Sequence, residues 1–475
     1  YHKCRQVLVD ELGIQPSRET TALYKRLLDA ETANETDWQV VQAPVLPVEL
    51  SAAGHPGQPQ AGSSQEDTGE DAVHLLPSWP LSADLHNMPL QLTPFFGRKA
   101  ERARLVELLV DPAYRLLTMV GPGGVGKTRL ALVAAEDAMH AFGEGAWYVP
   151  LGNGEAPPYH GHGNAPRDLE TAIAQTLSLP FPAGQDRKAR LIDYLRRRQM
   201  LLVLDGLEHQ HGEAAELILD ILRGAPHVTV LVTSRSPLHL QAEFAFRLDC
   251  LSVPDAIPGS MDLTAGQLVA RLQRYACIQL FAERAARRTD TFVLDEESLP
   301  GVVEVCRQVD GLPLGIELAA AQIDSDSPAG IAQTIRQDLD SLSTSLRDVE
   351  VRHRSLRSIY ESSWCMLTVE ERFALAHAAV FSGGFTQHAA GVITALGARA
   401  THVLNSLVDK SLLRQTTTGR FEMPELLRTF AAQKLVEQGA PGDPARTEVN
   451  PRGIPYFRHA TYYLDFLARR EAALS

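Results

Sequence analysis

Gly-Pro-Gly-Gly-Val-Gly-Lys-Thr, residues 121–128, decides how the rest of the chain is read. The octet meets the pattern G-x-x-x-x-G-K-[S/T] at every fixed position. Before it, Arg115 to Val120 is a short apolar run that reads as a buried strand. After it, Arg129 to Phe142 carries Leu130, Val133, Ala134, Ala138 and Phe142 at helical spacing. Strand, glycine loop and helix together form a cradle for a polyphosphate. In the loop of Gly121, Pro122, Gly123, Gly124, Val125 and Gly126 the glycines let successive backbone N–H groups turn inward, and the helix N-terminus adds partial positive charge. Lys127 is placed to reach the β- and γ-phosphates, and the Thr128 hydroxyl to ligate Mg²⁺. Arg129 follows directly and joins the candidate phosphate contacts.

The chain has 475 residues, 44% of them hydrophobic, enough for about three domains with ordinary cores. Its net charge of −13 argues against the whole chain coating nucleic acid or a membrane surface. The five cysteines (Cys4, Cys250, Cys277, Cys306, Cys365) are scattered and form no C-x-x-C pair, so they suggest neither zinc nor a disulfide framework. Reduced thiols and a cytoplasmic location fit best. No apolar run approaches the ~18 residues of a membrane span. The chain opens on Tyr1 in what reads as the middle of a helical unit, which points to a piece of a longer protein.

Residues 1–30 read as two helical stretches broken at Leu12-Gly13-Ile14-Gln15-Pro16, and residues 31–92, rich in Pro, Gly and Ser, as an extended linker. From Phe95 the pattern turns α/β. Helices are expected over 98–110, from Asp168, over 186–198 and 213–223, with strands over 146–151, 200–205 and 228–233 and a Gly/Pro/His-rich loop over 152–167. This alternation implies a parallel, doubly wound sheet whose ligands sit at the carboxyl ends of its strands. Beyond Pro254 the chain reads as mostly helical, with helices over 270–288, 299–309 and up to Ile323. Leu412-Leu413 and Phe421–Met423, around a turn at Thr416–Gly419, form a small hairpin. A last helix starts near 453.

Three further positions complete a candidate site. Leu201-Leu202-Val203-Leu204-Asp205 is a buried strand ending in a carboxylate that can hold the water shell of Mg²⁺. Gly206 stands where a second carboxylate often follows, so Glu208 is a base only if the turn brings it back; otherwise it sits in the next first turn. Arg235, in Thr233-Ser234-Arg235 after the next strand, can reach a terminal phosphate; a surface arginine is the alternative. Lys127, Asp205, Glu208 and Arg235 are the catalytic candidates, with Thr128 and Asp205 for the metal.

In this order, these residues resemble the NB-ARC and broader STAND class of P-loop signalling ATPases, and more narrowly the AfsR-like (antibiotic regulatory protein) bacterial transcriptional activators. Leu12 to Thr20 resembles the end of the bacterial transcriptional activator domain. Phe95-Phe96-Gly97-Arg98-Lys99-Ala100-Glu101 resembles the entry motif that packs against adenine and ribose, which nominates Phe96, Gly97 and Arg98. Gly311-Leu312-Pro313-Leu314 resembles the motif whose proline, here Pro313, packs on adenine. Arg352-His353-Arg354-Ser355-Leu356 and Val380-Phe381-Ser382-Gly383-Gly384-Phe385 resemble the entry and core of a winged helix.

The resemblance implies a P-loop NTPase domain over 93–253, a helical lid over 254–350 and a winged helix over 351–437. An activator-domain end (1–30), the linker (31–92) and the start of C-terminal helical repeats (438–475) flank them. It also implies a switch, closed with ADP and open with Mg²⁺ and ATP, that hydrolyses slowly. The same resemblance implies that an N-terminal module outside this sequence binds DNA, that C-terminal repeats sense an effector, and that the ATP form self-associates. Met423-Pro424-Glu425 stands where the class carries Met-His-Asp, whose histidine touches the β-phosphate of ADP; Pro424 has no donor. The competing expectations are a multiple-turnover ATPase, which Gly206 disfavours, and DNA binding through 352–437, where Arg352, His353, Arg354 and Arg357 cluster.

Overall fold

The computed structural model describes residues 86–151, 168–180, 186–209, 211–254, 265–344, 353–438 and 453–474. The expected activator-domain end at 1–30, the linker up to residue 85, the loop 152–167, Arg352 and the stretch 439–452 lie outside the described residues. The chain divides into two compact units, 84–463 and a second made of 1–83 with 464–475; the sheet and the helices packed on it lie in the first.

Five strands, β1 (Leu116–Val120), β2 (Ala146–Pro150), β3 (Met200–Asp205), β4 (Val228–Ser234) and β5 (Glu243–Arg247), form one sheet in the order β2-β3-β4-β1-β5. All four pairings are parallel. Helices α1 (Lys99–Val110), α2 (Lys127–Ala138), α3 (Leu169–Thr176), α4 (Arg187–Leu195) and α5 (His211–Gly224) cover both faces. Because side chains alternate along a strand, Leu201, Val203 and Leu231 join Leu105, Leu109 and Leu130 of α1 and α2 on one side. Leu202, Leu204 and Val230 join Ile173, Leu195 and Ile218 of α3, α4 and α5 on the other. Burial on both faces explains why these strands read as continuous apolar runs. The expected strands and helices stand within a few residues of their predicted ends. β5 was not expected: Glu-Phe-Ala-Phe-Arg is short, charged at both ends and at the sheet edge, and only its pairing with β1 reveals it.

Five helices follow: α6 (Ala265–Leu272), α7 (Ala276–Arg288), α8 (Leu299–Gln308), α9 (Pro313–Ala320) and α10 (Pro328–Gln337). The single helix expected over 270–288 is broken between α6 and α7. Tyr275 is extended there (φ −74°, ψ 126°), and Cys277 Sγ donates to Ser252 O at 3.1 Å. The apolar period continues across the break, so periodicity could not reveal it. α10 was also missed, although Ser327 caps it by accepting from Gly330 N–H and Pro328 opens it.

The C-terminal part holds α11 (Leu356–Cys365), α12 (Val369–Ala378), α13 (Gln387–Ile393), α14 (Ala400–Asp409), β6 (Arg414–Gln415), β7 (Phe421–Glu422), α15 (Glu425–Gln438) and α16 (Gly453–Leu474). The hairpin exists, with its first strand two residues later than expected: Arg414 pairs with Glu422 and Gln415 with Phe421. Leu412 and Leu413 are instead buried in the core. α11 is anchored on Phe430 of α15, whose ring lies 5.6 Å from Tyr360 and 6.1 Å from Trp364. Phe430 is fully buried. Phe430→Ala should therefore lower stability by about 3–5 kcal/mol, read from the denaturant midpoint of the whole chain.

Candidate nucleotide site

The parallel sheet brings the ends of β1, β3 and β4 to one edge. The phosphate loop leaves β1 and enters α2 through Gly124 (φ +77°) and Gly126 (φ +92°), left-handed conformations that favour glycine. The first turn-closing bond of α2 runs from Leu130 N–H to Gly126 O, at 3.0 Å. The N–H groups before Leu130 therefore have no acceptor within the helix, which is the donor set an anion uses. A β-carbon built on Gly126 would meet nothing within 4 Å. Lys127 Nζ is buried against the loop, donating to Gly121 O at 2.8 Å and Pro122 O at 3.1 Å.

Asp205, at the end of β3, gathers the polar side chains. Its Oδ1 accepts from Thr128 Oγ1 at 2.6 Å and from Thr233 Oγ1 at 2.6 Å, and its Oδ2 accepts from Tyr148 OH at 3.0 Å. Thr233 in turn accepts from Gly206 N–H at 3.0 Å. The structure brings the expected Thr128 and Asp205 into contact and adds Tyr148, which sequence reasoning missed. The available signal was a phenol near the carboxyl end of the strand that pairs with β3.

These groups line a cavity of about 470 Å³ with Phe96, Arg98, Arg129, Glu208, Arg235, Pro313, Leu314 and His353. That volume lies within the range of ligand pockets. Phe96, Leu280, Pro313 and Leu314 supply an apolar wall and the loop supplies peptide N–H groups, so the residues present could hold a nucleoside polyphosphate. Among the described residues, no three His, Cys, Asp or Glu cluster around a metal position. A Mg²⁺ ion would rely on Asp205, Thr128, water and ligand oxygens, as Mg²⁺ commonly does.

Five expected contacts are placed differently. Arg98 borders the cavity, but its guanidinium is buried and Nη2 donates to Val125 O and to Asp249 O, both at 2.9 Å. It ties the loop to the end of β5, and burial lowers its pKa despite Glu101 nearby. Gly97 lies outside the lining: a β-carbon there would come within 2.5 Å of Ala276 Cβ, so it serves as the seat of α7. Arg129 donates through Nη2 to Thr93 Oγ1 and Pro94 O, both at 2.7 Å, and lies 3.7 Å from Glu317; burial lowers its pKa as well. Gly121, Pro122 and Pro424 line a second cavity of about 720 Å³, which shares Gly123 and Arg235 with the first.

Arg235 departs furthest from a simple phosphate contact. It borders the loop, but its Nη1 donates to Ser363 Oγ at 2.5 Å and its Nη2 to Ser362 Oγ at 3.3 Å, both on α11. Its Nε lies 3.7 Å from Glu208 Oε1, with both side chains only 14% exposed. The turn after Gly206 (φ +85°) thus does bring Glu208 back to the site, as the partner of Arg235. Of the basic residues expected to cluster, Arg357 pairs with Asp340 and donates to Gln433 Oε1 at 2.6 Å, His353 lines the first cavity, and Arg352 lies outside the described residues.

No family model matches the chain. It is 30% identical over 363 residues to the uncharacterized protein Rv0894 of Mycobacterium tuberculosis, covering 74% of this chain and 84% of the relative. It is 25% identical over 452 residues to the regulatory protein AfsR of Streptomyces coelicolor, covering 91% of this chain and 38% of AfsR. The chain belongs to the AfsR-like family. A further relative of this AfsR-like chain is named as an HTH-type transcriptional regulator of Mycobacterium tuberculosis (30% identical over 350 residues, 72% of this chain and 36% of the relative). The chain therefore spans just over a third of the length of AfsR and of that regulator. Among solved structures, a STAND protein with a tetratricopeptide repeat sensor from Pyrococcus horikoshii aligns at 15% identity. Its TM-score is 0.31, over 80% of this chain and 46% of that one.

If Arg98 is architectural, Arg98→Lys, which cannot span both carbonyls, should lower stability by about 2 kcal/mol in thermal or chemical denaturation.

Proposed function

We propose that this chain is the nucleotide-dependent switch of a transcriptional regulator, binding ADP in a closed state and Mg²⁺ with ATP in an open one. The observation that carries this reading is the bonding of Arg235: a guanidinium beside the phosphate loop that also holds α11, in the expected winged helix. A group so placed can pass the state of a bound phosphate to the C-terminal helices. We assign 93–253 to the nucleotide domain, 254–350 to a helical lid and 351–437 to a winged helix.

Lys127 and the N-terminal peptide groups of α2 bind phosphate. Thr128 and Asp205 are the residues that would hold Mg²⁺, which when bound would neutralise phosphate charge. Tyr148 and Thr233 fix the Asp205 carboxylate. Phe96 and Pro313 face the base. Glu208 is engaged by Arg235 rather than aimed at a water, which favours slow hydrolysis over steady turnover. Binding of DNA by an N-terminal module, sensing by C-terminal repeats and self-association of the ATP form belong to the same proposal.

Nucleotide released by denaturing the purified protein tests it. Near-stoichiometric ADP is the expected result, and a protein that neither carries nor binds adenine nucleotide would refute the reading. Lys127→Ala should abolish nucleotide binding while leaving the circular dichroism spectrum unchanged. Pro424 borders the second cavity with Gly121, Pro122 and Gly123 and offers no donor. Pro424→His should tighten ADP binding by about tenfold, measured by calorimetry.

A further inference from the structure

Ser363 of α11 is buried and has no part in the roles assigned above, yet of the contacts from Arg235 to α11 its contact is the shortest. Nη1 reaches Ser363 Oγ at 2.5 Å, against 3.3 Å from Nη2 to Ser362 Oγ and 3.5 Å to Ile359 O. The Ser363 hydroxyl donates its one proton to Ile359 O, at 3.0 Å. Its lone pairs are therefore left to face the guanidinium. On the other side stands Glu208, 3.7 Å from Nε. The guanidinium carbon lies 3.7 Å from where a β-carbon on Gly123 would be, and the Ile359 side chain occupies that same space. The arginine, the phosphate loop and α11 thus meet at one point.

We propose that Ser363 is a positioning residue that keeps Arg235 turned toward α11, and so sets the preference of the site for nucleoside diphosphate over triphosphate. This rests on the nucleotide reading above. A guanidinium is a rigid planar fork. It cannot present the same N–H edge to the Ser362–Ser363 pair and to a terminal phosphate, so the two compete. Ser363 keeps its own bond to Ile359 O when Arg235 leaves, which makes the latch releasable. Release then removes a bond that seats α11 on the loop, coupling the phosphate count to the C-terminal helices.

The test is calorimetric titration of the 475-residue chain with ADP and with a non-hydrolysable ATP analogue, each with Mg²⁺. Ser363→Ala should shift the affinity ratio toward the triphosphate by about tenfold. Ser362→Ala, which removes only the longer contact, should shift it less. In an Arg235→Ala background, Ser363→Ala should leave the ratio unchanged, because the hydroxyl acts through that arginine. An unchanged ratio in Ser363→Ala with both nucleotides still bound would overturn the proposal and leave the nucleotide reading standing. The same shift with and without Arg235 would also overturn it, because it would place the effect in helix packing. Failure of the unsubstituted protein to bind either nucleotide would sink both.

Discussion

The phosphate loop is packed from outside as tightly as it is built from within. Leu314 N–H donates to Gly124 O at 3.2 Å, and a β-carbon on Gly124 would lie 2.9 Å from Leu314 Cβ. Ile359 crowds Gly123 in the same way. The glycines that let the loop curl around an anion thus also let α9 and α11 approach its backbone. A side chain at either position would disturb the anion cradle and the docking of both helices. Binding and docking share one surface, so neither can change without the other.

Charge is handled consistently around this surface. Arg98, Arg129 and Arg235 are largely buried, and each is held by carbonyls, hydroxyls or a carboxylate. A buried guanidinium without such partners would be costly. Two of the three have become struts: Arg98 joins the loop to Asp249, just after β5, and Arg129 joins α2 to the segment at Thr93 and Pro94. Arg235 is bonded to α11, in the region assigned above to the winged helix. The difference lies in its partners: mainly backbone carbonyls close to the loop and sheet for the struts, and side-chain hydroxyls on a separate helix for Arg235.

The fold class was legible because its signals are local. A buried parallel strand is a continuous apolar run, and the glycine loop between β1 and α2 has few physical alternatives. The pairing of Thr128 with Asp205 followed from the same logic, since both stand where strands of one parallel sheet end. The break before α7 was not legible, because Tyr275 is extended by packing between distant segments while the helical period runs on. β5 was not legible because an edge strand needs only half a buried face. Nor did any pattern distinguish the arginines, since a guanidinium in a loop reads alike whether it meets phosphate, carbonyl or serine.

The sequence by itself therefore determined the doubly wound parallel sheet, the loop from Gly121 to Thr128 and the carboxylate that faces it. These depend on residue type at fixed spacing within single elements. Only the tertiary structure decided that Arg98 is a strut, that Tyr148 supports Asp205, and that Arg235 lies between Glu208 and α11. Those contacts join residues up to 151 positions apart, as Arg98 and Asp249 are. Such a distance is closed by the packing of helices against the sheet, which no local pattern records.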